Sequence, residues 1–518
     1  MASRRDELNA YTFAKQRTVA AFLQPSATGS EEGAPRPLRA ILPTLVVGAL
    51  VLVGSGAWGM FRPQAPKGWN EPGARVIVGS RSTTRYVILS TEEAGSHRSR
   101  LHPVLNLASA RLLLDPRKFK VVHVKDEVLD AGRPPRGPII GIPYAPDRLP
   151  EPKDAGKPKR WAVCQRPGGN GLGVQSAVFV LADREAGPLD GTLRTTDRQV
   201  LYVRSTGAGR QRYLVDATGT KYAFPEGGPA AGTLTTALVG ADATPQPVTE
   251  QWLATLDPGD DLAFPRLPGA PGAPAGVRGL AAADNRVGTV LSAQTGAGTQ
   301  YYVVLPGRVA PVTEFMARLL IAAPTADALD LHGRAREVDL QSLSQDVPPF
   351  GADIKWPRRR GVRINGVDAA GAGPAGTRRD TVCNVLRAVD AAGVPTLSTW
   401  AGSGFPVDIT ASGAGSYVTP GSGLLYTQVQ GRQTAAGGSL FLVTDTGLRY
   451  AVPADGSGSD GGGDGGGNGG RGRPGAGEAQ TRLGYADVVP PPVPIAWSEF
   501  LSKGPRLDTE SARRTQGS

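Results

Sequence analysis

The sequence predicts a single-span membrane protein whose large β-rich (α+β) body contains an internal duplication. Three observations support this fold class. The stretch from Ile41 to Phe61 has no charged residue, glycine (70) and proline (45) exceed a fifth of the 518 residues, and several patterns occur twice after the stretch. Abundant glycine and proline favour short strands joined by turns. We therefore expect an elongated, pseudo-twofold body with a central β domain and four small repeat domains.

The residues before the uncharged stretch form a short tail. Residues 4–24 have helical periodicity, and at 100° per residue one apolar stripe contains Leu8, Tyr11, Val19, Phe22 and Leu23. A short isolated helix cannot bury such a stripe, so the stripe indicates a partner surface. Lys15 interrupts it, which leaves a protein groove and the membrane surface both open, and we favour the protein groove. The rest of the tail is predicted as a linker.

The uncharged stretch from Ile41 to Phe61 is predicted as a transmembrane helix. A helix of that length spans roughly 30 Å, the thickness of a bilayer core. A cleaved signal peptide would lie nearer the N-terminus, and a buried helix of a soluble domain is the other alternative. Basic residues flank the stretch on both sides, with Arg39 before it and Arg62 and Lys67 after it, so charge alone does not define its orientation.

The composition of the roughly 450 residues after the span limits the class of partner. A chain of that length exceeds one ordinary core and implies two or more packed units. The net charge is +11, but the basic residues are scattered and form no stripe interleaved with aromatic residues. Nucleic-acid binding is therefore not expected.

Two sets of repeated patterns define the duplication. Val124–Gly137 matches Val338–Gly351, and each copy follows a strand-like run and then a Pro-Val pair, at Pro103 and Pro311. Proline suits the first turn of a helix, so each pair is expected to open one. A second pattern, Leu214–Pro225, matches Leu442–Pro453.

The second pattern places two turn glycines and two tryptophans at equivalent positions. Gly219 and Gly447 lie between strand-like runs, which predicts hairpins. Trp252 and Trp497 recur downstream. Cell-wall sugar could contact these rings, but packing of each repeat's helix on its strands is the favoured interpretation.

These patterns divide the chain into consecutive segments. The predicted boundaries are a cytosolic tail 1–40 with an amphipathic helix 4–24, a transmembrane helix 41–61, a first repeat 62–130, a first half of the central domain 131–199, a second repeat 200–265, a third repeat 290–350, a second half of the central domain 351–424, a fourth repeat 425–510 with a Gly-rich insertion 455–477, and a disordered tail 511–518. The insertion is predicted as a flexible linker rather than a calcium-binding repeat.

The two cysteines of the chain, Cys164 and Cys383, occupy equivalent positions of the two halves. Such residues can meet only near a pseudo-twofold axis, so a disulfide between the halves is favoured over two buried thiols or a metal site. A disulfide requires an oxidising compartment. This predicts an extracytoplasmic body and a cytosolic N-terminus.

No catalytic, cofactor-binding or metal-binding residue is predicted. The pattern G-x-x-x-x-G-K-[S/T] is absent from the sequence, and its one Gly-Lys pair, at Gly156, precedes a proline. The four histidines lack metal-ligand spacing, and there is no G-x-S-x-G motif.

Several stretches together resemble the EccB family of actinobacterial type VII (ESX) secretion systems. They are LHPVLNLASARLLL, PRGPIIGIPYAP, the neighbourhood of Trp161 and Cys164, and PVPIAWSEFLSKGPRL. The Gly-rich insertion departs from the family pattern. The resemblance implies an inner-membrane, single-pass protein with a cytosolic N-terminal helix, a central β domain, four repeats related to phage-lysin cell-wall-binding modules, and one disulfide.

The resemblance also implies a function and partners. It implies a structural subunit that scaffolds the extracytoplasmic face of the secretion channel. The implied partners are an FtsK/SpoIIIE-like ATPase (EccC), EccD and EccE, and the family leaves room for a homo-oligomer and for cell-wall contact. Some members carry an ATPase label, so an extracytoplasmic ATP-hydrolysing or cell-wall-processing enzyme, with ATP as its ligand, and a cell-wall-binding anchor are the alternatives.

Overall fold

The computed structural model describes residues 3–23, 38–61, 65–93, 96–168, 173–296, 298–339, 347–366, 378–409, 415–431, 438–454 and 477–516. Nearly all of the predicted linker and of the Gly-rich insertion lies outside these residues. The chain divides into two units. One comprises Met1–Asn70, Ile77–Thr83 and Val122–Pro134, and the other comprises Glu71–Val76, Thr84–Val121 and Pro135–Ser518.

Short strands dominate the described residues after α2. The helices are α1 Arg4–Leu23, α2 Leu38–Phe61, α3 Leu107–Leu113, α4 Asp126–Leu129, α5 Pro152–Ala155, α6 Gly187–Asp190, α7 Pro229–Val239, α8 Glu250–Leu253, α9 Glu314–Ala322, α10 Glu478–Arg482, α11 Ile495–Ser498 and α12 Thr509–Arg513. Short 3₁₀ helices lie at Asp183–Glu185 and Pro324–Leu329.

The strands fall into groups that follow the chain. Those of the first half are β1 Arg75–Gly79, β2 Arg85–Glu93, β3 Ser96–Pro103, β4 Lys120–Val124, β5 Arg160–Pro167, β6 Val174–Leu181, β7 Gln199–Ser205, β8 Arg212–Val215, β9 Thr220–Ala223, β10 Gln246–Val248 and β11 Asp257–Pro258. Those of the second half are β12 Val290–Thr295, β13 Gly298–Leu305, β14 Arg308–Val312, β15 Arg336–Glu337, β16 Val362–Arg363, β17 Thr381–Val389, β18 Pro395–Gly402, β19 Gly415–Val418, β20 Gly423–Val429, β21 Ser439–Thr444, β22 Leu448–Ala451, β23 Pro492–Pro494 and β24 Ser502–Lys503.

The first unit contains the two N-terminal helices. Helix α1 ends within one residue of the predicted boundary. At its start the N–H of Ser3 donates to the Asp6 carboxylate at 3.0 Å, and the Ser3 hydroxyl accepts from the N–H of Arg5 at 3.2 Å. Leu8, Tyr11 and Phe22 of the predicted stripe are each more than two-thirds exposed. Helix α2 covers the uncharged stretch. Within the part of the chain that the structure describes, no helix combines the length and the apolar character that crossing a membrane requires.

The second unit contains a five-stranded sheet in the order β18-β17-β5-β6-β19, which we call the central sheet. Two antiparallel hairpins, β5–β6 and β17–β18, meet where β5 and β17 pair antiparallel. Residues 161–165 of β5 are all buried. A stretch of strand with consecutive buried residues needs cover on both faces of its sheet, which explains the apolar run Trp161–Cys164.

Two further sheets of the second unit share one strand arrangement. Their orders are β10-β7-β8-β9-β11 and β23-β20-β21-β22-β24. In both, an antiparallel meander carries one parallel strand on each edge. The predicted hairpins are present as β8–β9 and β21–β22. Strand β16, which lies in the predicted second half of the central domain, instead pairs with β7 of the second-repeat sheet.

The sheet of the third repeat has the order β14-β13-β12-β15, and α9 follows its edge strand β14. A helix follows each Pro-Val pair, as predicted, but the pair does not lie in the first turn of that helix. Pro103 ends β3 and Pro311 lies within β14, where an edge strand tolerates the missing donor. The helices α3 and α9 begin after Asn106 and Thr313, whose side chains cap them by accepting from the backbone N–H three residues on.

The prediction of a disordered tail at 511–518 is wrong through Gln516. Helix α12 runs to Arg513, its cap Asp508 accepts from the N–H of Ser511, and Ala512 is fully buried. Beyond the helix, the N–H of Gln516 donates to the carbonyl of Ile139 at 2.9 Å. The segment orders because it packs on the chain near α3, a long-range contact that local composition does not indicate.

Candidate functional site

The disulfide between Cys164 and Cys383 lies at the middle of the central sheet. The two residues are directly opposite each other in the β5–β17 pairing, and both side chains are fully buried. The bond therefore joins the two hairpins that build the sheet. The disulfide that the sequence predicted is present in the structure.

One face of the central sheet carries a core that three sheets share, which we call the shared core. Its members come from the central sheet, the second-repeat sheet and the fourth-repeat sheet, and they include Trp161, Val163, Leu201, Val203, Val215, Trp252, Val382, Tyr426, Val443 and Trp497. Side chains on one face of a strand recur every second residue, so each strand contributes alternate residues. The three sheets form one continuous apolar interior on this face.

The two predicted tryptophans lie inside the shared core. Trp252 is 0% and Trp497 is 1% exposed, so neither ring offers a surface to a sugar. The indole N–H of Trp252 donates to the carbonyl of Val163 at 2.9 Å, which fixes α8 on β5. Both rings thus pack against the central sheet as well as within their own repeats.

Buried amide side chains attach the second repeat to both hairpins. Gln165 of β5 accepts from the N–H of Thr249 at 2.8 Å and donates to its hydroxyl at 2.6 Å. Asn384 of β17 donates to the carbonyl and the hydroxyl of Thr255, at 2.8 and 3.0 Å. Neither residue was predicted from the sequence. A polar residue at the centre of an apolar strand was the available signal.

The two turn glycines meet opposite edges of the central sheet. Gly219 has a φ of +77°, and a Cβ there would lie 2.7 Å from Cβ of Leu397 in β18. Gly447 has a φ of +76° and approaches Ser416 in β19, whose hydroxyl donates to its carbonyl at 3.0 Å. Glycine is therefore required at both positions for two reasons. The hairpin turn needs a positive φ, and a neighbouring strand approaches too closely for a side chain.

The other face of the central sheet, where the disulfide lies, is covered by α6. Trp400 donates its indole N–H to the carbonyl of Pro188 at 3.0 Å, and Leu189 is fully buried. Arg387 forms an ion pair with Asp190. Burial, and then the charge of the nearby Arg160, lower the pKa of Arg387 to about 10.

A polar network closes the fourth repeat beneath the shared core. The hydroxyls of Tyr426 and Ser498 are 2.7 Å apart, and Arg449 donates to Ser498 at 2.9 Å. Burial raises the pKa of Tyr426 to about 12 although Arg449 opposes the shift. The tyrosine therefore stays neutral and acts as a structural hydrogen-bonding group.

The residues that could suggest catalysis or metal binding have structural surroundings. Gly156 and Lys157 follow the four-residue helix α5 rather than a strand, so this pair does not form a phosphate-binding loop. His102 is buried with its Nδ1 3.0 Å from the carbonyl of Pro138. No group of three or more His, Cys, Asp or Glu side chains suited to a metal ion occurs among the described residues. The buried disulfide, the shared core and the buried amide hydrogen bonds join separate segments of the chain into one interior.

Comparison with known proteins gives one family over the full length. The sequence profile of the family described as "Type VII secretion system ESX-1, transport TM domain B" matches residues 1–518. The chain is 29% identical over 519 residues to the protein named ESX-3 secretion system ATPase EccB3 of Mycobacterium tuberculosis, covering 92% of this chain and 83% of that protein. It is 30% identical over 294 residues to ESX-1 secretion system ATPase EccB1 of the same organism, covering 55% and 54%.

Solved structures share the fold. A chain of an intact ESX-5 inner membrane complex matches with a TM-score of 0.58 and 20% identity, covering 100% of this chain and 96% of that one. The EccB3 dimer from the ESX-3 core complex matches with a TM-score of 0.56 and 21% identity, covering 85% and 100%. A chain of the periplasmic assembly of an ESX-5 inner membrane complex gives 0.56 and 22% identity, covering 88% and 98%.

Proposed function

Because the chain belongs to the EccB family of type VII secretion proteins, we propose that it is a structural subunit of a type VII secretion membrane complex. The profile match over residues 1–518 carries this proposal. In it, the body scaffolds the extracytoplasmic side of the export channel. Structures with this fold come from assemblies named as ESX inner membrane and core complexes, which supports the same role.

The shared core supports a scaffold role on physical grounds. A scaffold must keep distant surfaces in fixed positions, and dense interiors transmit strain because they are close-packed. Here one apolar interior and a buried disulfide connect three sheets. Gln165 accepts a hydrogen bond from the second repeat and Asn384 donates one to it, and together they fix the orientation of that repeat on the central sheet.

The proposal places α2 in the inner membrane, α1 in the cytosol and the body outside it. The apolar residues Leu45, Leu50, Val51 and Leu52 of α2 are exposed, as the lipid-facing residues of a span would be. The disulfide supports an oxidising compartment for the body. In this orientation the exposed stripe of α1 would dock on a cytosolic partner, for which the family implies an EccC-like ATPase, EccD or EccE.

We also infer that the body arose by internal duplication. The second-repeat and fourth-repeat sheets have the same strand order and the same parallel edge strands. An antiparallel strand pair has a local twofold axis between opposite residues, and Cys164 lies opposite Cys383. These observations support two halves related by a pseudo-twofold axis at the disulfide.

The test is affinity purification of the tagged full-length chain from membranes in mild detergent, with native mass determination and identification of partners. We expect recovery in a large assembly that contains an FtsK-like ATPase and a multi-span membrane protein. Recovery of the chain alone, with ATP turnover that survives further purification and fails on a point substitution, would support the enzyme alternative. Specific retention on peptidoglycan without these partners would support the anchor.

A matched pair of variants tests the docking of α1. The stripe variant Leu8→Asp should lose the cytosolic partner, because a charge in an apolar contact is costly. The control Phe13→Asp places the same charge on the opposite side of the helix, where the side chain is also exposed. Equal losses from both variants would count against docking through the stripe.

A further inference from the structure

A cleft in the third repeat is not explained by the scaffold role. Its volume is about 900 Å³, and it lies beside the start of β13, the end of β14 and the first turn of α9. A smaller cavity of about 290 Å³ lies next to it and shares Tyr301 and Glu314 with it. A volume of this size is typical of ligand pockets.

One wall of the cleft is a strand edge without a partner. Strand β14 pairs only with residues 301–305 of β13. Its last residue, Val312, lies opposite Tyr301. The preceding residues Gly298–Gln300 pair with β12 on their other side and are exposed. Among the described residues, no strand pairs with them on the side of β14. Such an edge presents backbone N–H and C=O groups to an incoming strand.

The opposite wall is an aromatic loop, residues 349–359, which is held in place at several points. The N–H of Phe350 donates to the carbonyl of Pro311 at 2.9 Å, and the indole N–H of Trp356 donates to the carbonyl of Asp261 at 3.1 Å. Gly351 has a φ of +69°, and a Cβ there would lie 2.6 Å from the Met316 side chain. The cleft is therefore preformed rather than closed by loop movement.

The charge of the cleft is positive. Arg198, Arg358 and Arg359 line it, and the one carboxylate of its lining, Glu314, lies 3.6 Å from Arg198. Arg359 pairs with an exposed aspartate, which neutralises it only weakly. Within the described residues, the Arg358 side chain has no hydrogen bond or ion pair.

The smaller cavity extends the positive surface. It is lined by Arg318, Arg334 and Arg360, again with Glu314 as its carboxylate. Burial, and then the charge of Arg360, lower the pKa of Arg318. Like charges this close are stabilised when an anion binds between or beside them.

We propose that this cleft binds an extended acidic peptide segment of a partner protein, which adds a strand to the free edge of β13 and places carboxylates against the arginines. The guanidinium group is the best side-chain match for a carboxylate. The free edge favours a peptide over an anionic glycan, because only a peptide has alternating donors and acceptors in the register of a strand. Tyr301, Phe350 and Trp356 supply apolar surface for its other side chains.

The experiment measures binding of a fluorescent eight-residue peptide of alternating glutamate and valine to the full-length protein in detergent. We expect saturable binding with a Kd on the order of micromolar to tens of micromolar. The affinity should fall with salt, because exposed charges are screened. A peptide with lysine in place of glutamate should not bind. N-methylation of the amides along one edge of the peptide should abolish binding, whereas methylation of the other edge should not.

Two charge reversals supply the matched protein variants. Arg358→Glu should weaken binding about tenfold or more, since it replaces an attraction by a repulsion. Arg308→Glu makes the same change at the exposed opposite end of β14 and should leave the Kd within about twofold, the scale of an uninvolved surface charge. Arg358 contributes only its carbonyl to the fold, to the N–H of Phe315, so the variant should melt as the parent does.

Three results would overturn the proposal. They are no binding at millimolar peptide, equal weakening by both reversals, and indifference to N-methylation of either edge. Stronger binding of a muramic-acid oligosaccharide that displaces the peptide would also overturn it in favour of a glycan site.

Discussion

At the scale of single residues, the turn glycines show how one position can serve two requirements. Gly219 has a left-handed backbone and lies close to Leu397. Gly227 has a similar φ of +88°, but a Cβ there would have nothing within 4 Å. Comparing Gly219 with Gly227 therefore separates the effect of a left-handed backbone from the effect of a close neighbouring side chain.

We predict that Gly219→Ala destabilises the body more than Gly227→Ala. Both variants incur about 1–2 kcal/mol for a side chain in the left-handed region, and Gly219→Ala adds about 1–3 kcal/mol of overpacking against Leu397. Denaturation midpoints followed by tryptophan fluorescence measure the difference. Equal midpoints would show that the neighbouring strand yields to the methyl group.

Asp154 makes an acid-sensitive contact within the body. Lys159, whose side chain is 3% exposed, donates to one carboxylate oxygen at 2.7 Å, and Ser422 donates to the other at 2.7 Å. Burial alone would raise the pKa of Asp154, but these hydrogen bonds outweigh it and lower the pKa below its usual value. A depressed pKa in the folded state stabilises the fold above the unfolded pKa of about 4 and loses this effect as the pH falls through the folded value.

We predict that Asp154→Asn lowers the melting temperature at pH 7 and that the difference from the parent shrinks below about pH 4. The surface pair of Asp330 with Arg286, 4.0 Å apart, supplies the control variant Asp330→Asn, which should have little effect at either pH. Melting curves at pH 7, 5 and 3.5 measure this. A constant difference between parent and Asp154→Asn across the range would contradict the assignment.

Residue roles that follow from repetition were predictable, and those that follow from tertiary contact were not. Trp252 and Gly219 recur in a second copy, so the sequence identified them. Gln165 and Asn384 carry hydrogen bonds in the structure, and their one sequence signal is a polar residue within an apolar strand. Nothing near Arg358 in sequence distinguishes a cleft arginine from a surface residue. Their roles depend on strands far away in the chain.

At the scale of elements, the β5–β17 pairing is what unites the two hairpins of the central sheet. Its two cysteines are directly opposite and fully buried. The sequence predicted the bond from the equivalence of the two positions. The strand order around the cysteines could not be predicted from the sequence, because the pairings of β16 and β19 do not recur in a second copy.

We predict that the unfolded, unreduced full-length chain exposes no free thiol and that reduction exposes both. Thiol labelling in denaturant measures this, and two labelled thiols before reduction would contradict the bond. The double variant Cys164→Ala with Cys383→Ala should be less stable by about 2–5 kcal/mol, the usual effect of losing a native disulfide. Treatment of the folded protein with reductant should have little effect, because both sulfurs are buried.

At the scale of the whole body, a segment at the C-terminal end contacts residues near its beginning. Gln516 bonds to the carbonyls of Ile139 and Gly141, both at 2.9 Å. On another side of the same region, Arg111 of α3 donates to the carbonyl of Leu483 at 2.9 Å. Helix α3 is thus held by two C-terminal segments that the sequence assigned to another repeat and to a disordered tail.

We predict that removal of residues 508–518 increases hydrogen exchange in α3 and at Ile139–Gly141 while the second-repeat sheet stays protected. The milder variant Asp508→Ala removes only the cap of α12, which is worth about 1 kcal/mol, and should have a smaller effect in the same place. Exchange followed by mass spectrometry measures both variants. Unchanged protection in α3 would show that the C-terminal contact is dispensable.

The β5–β17 pairing joins residues that are far apart in the chain, and this affects folding during synthesis. The paired cysteines are 219 residues apart, so the central sheet has a high contact order and its closure is entropically slow. The third repeat, whose strands β12–β14 form local hairpins, can fold first and shorten the loop that must close. Until β17 is synthesised, β5 is an open edge exposed to aggregation. The nascent chain therefore remains vulnerable until β17 has been synthesised and has paired with β5, and folding of the third repeat shortens the loop that this pairing closes.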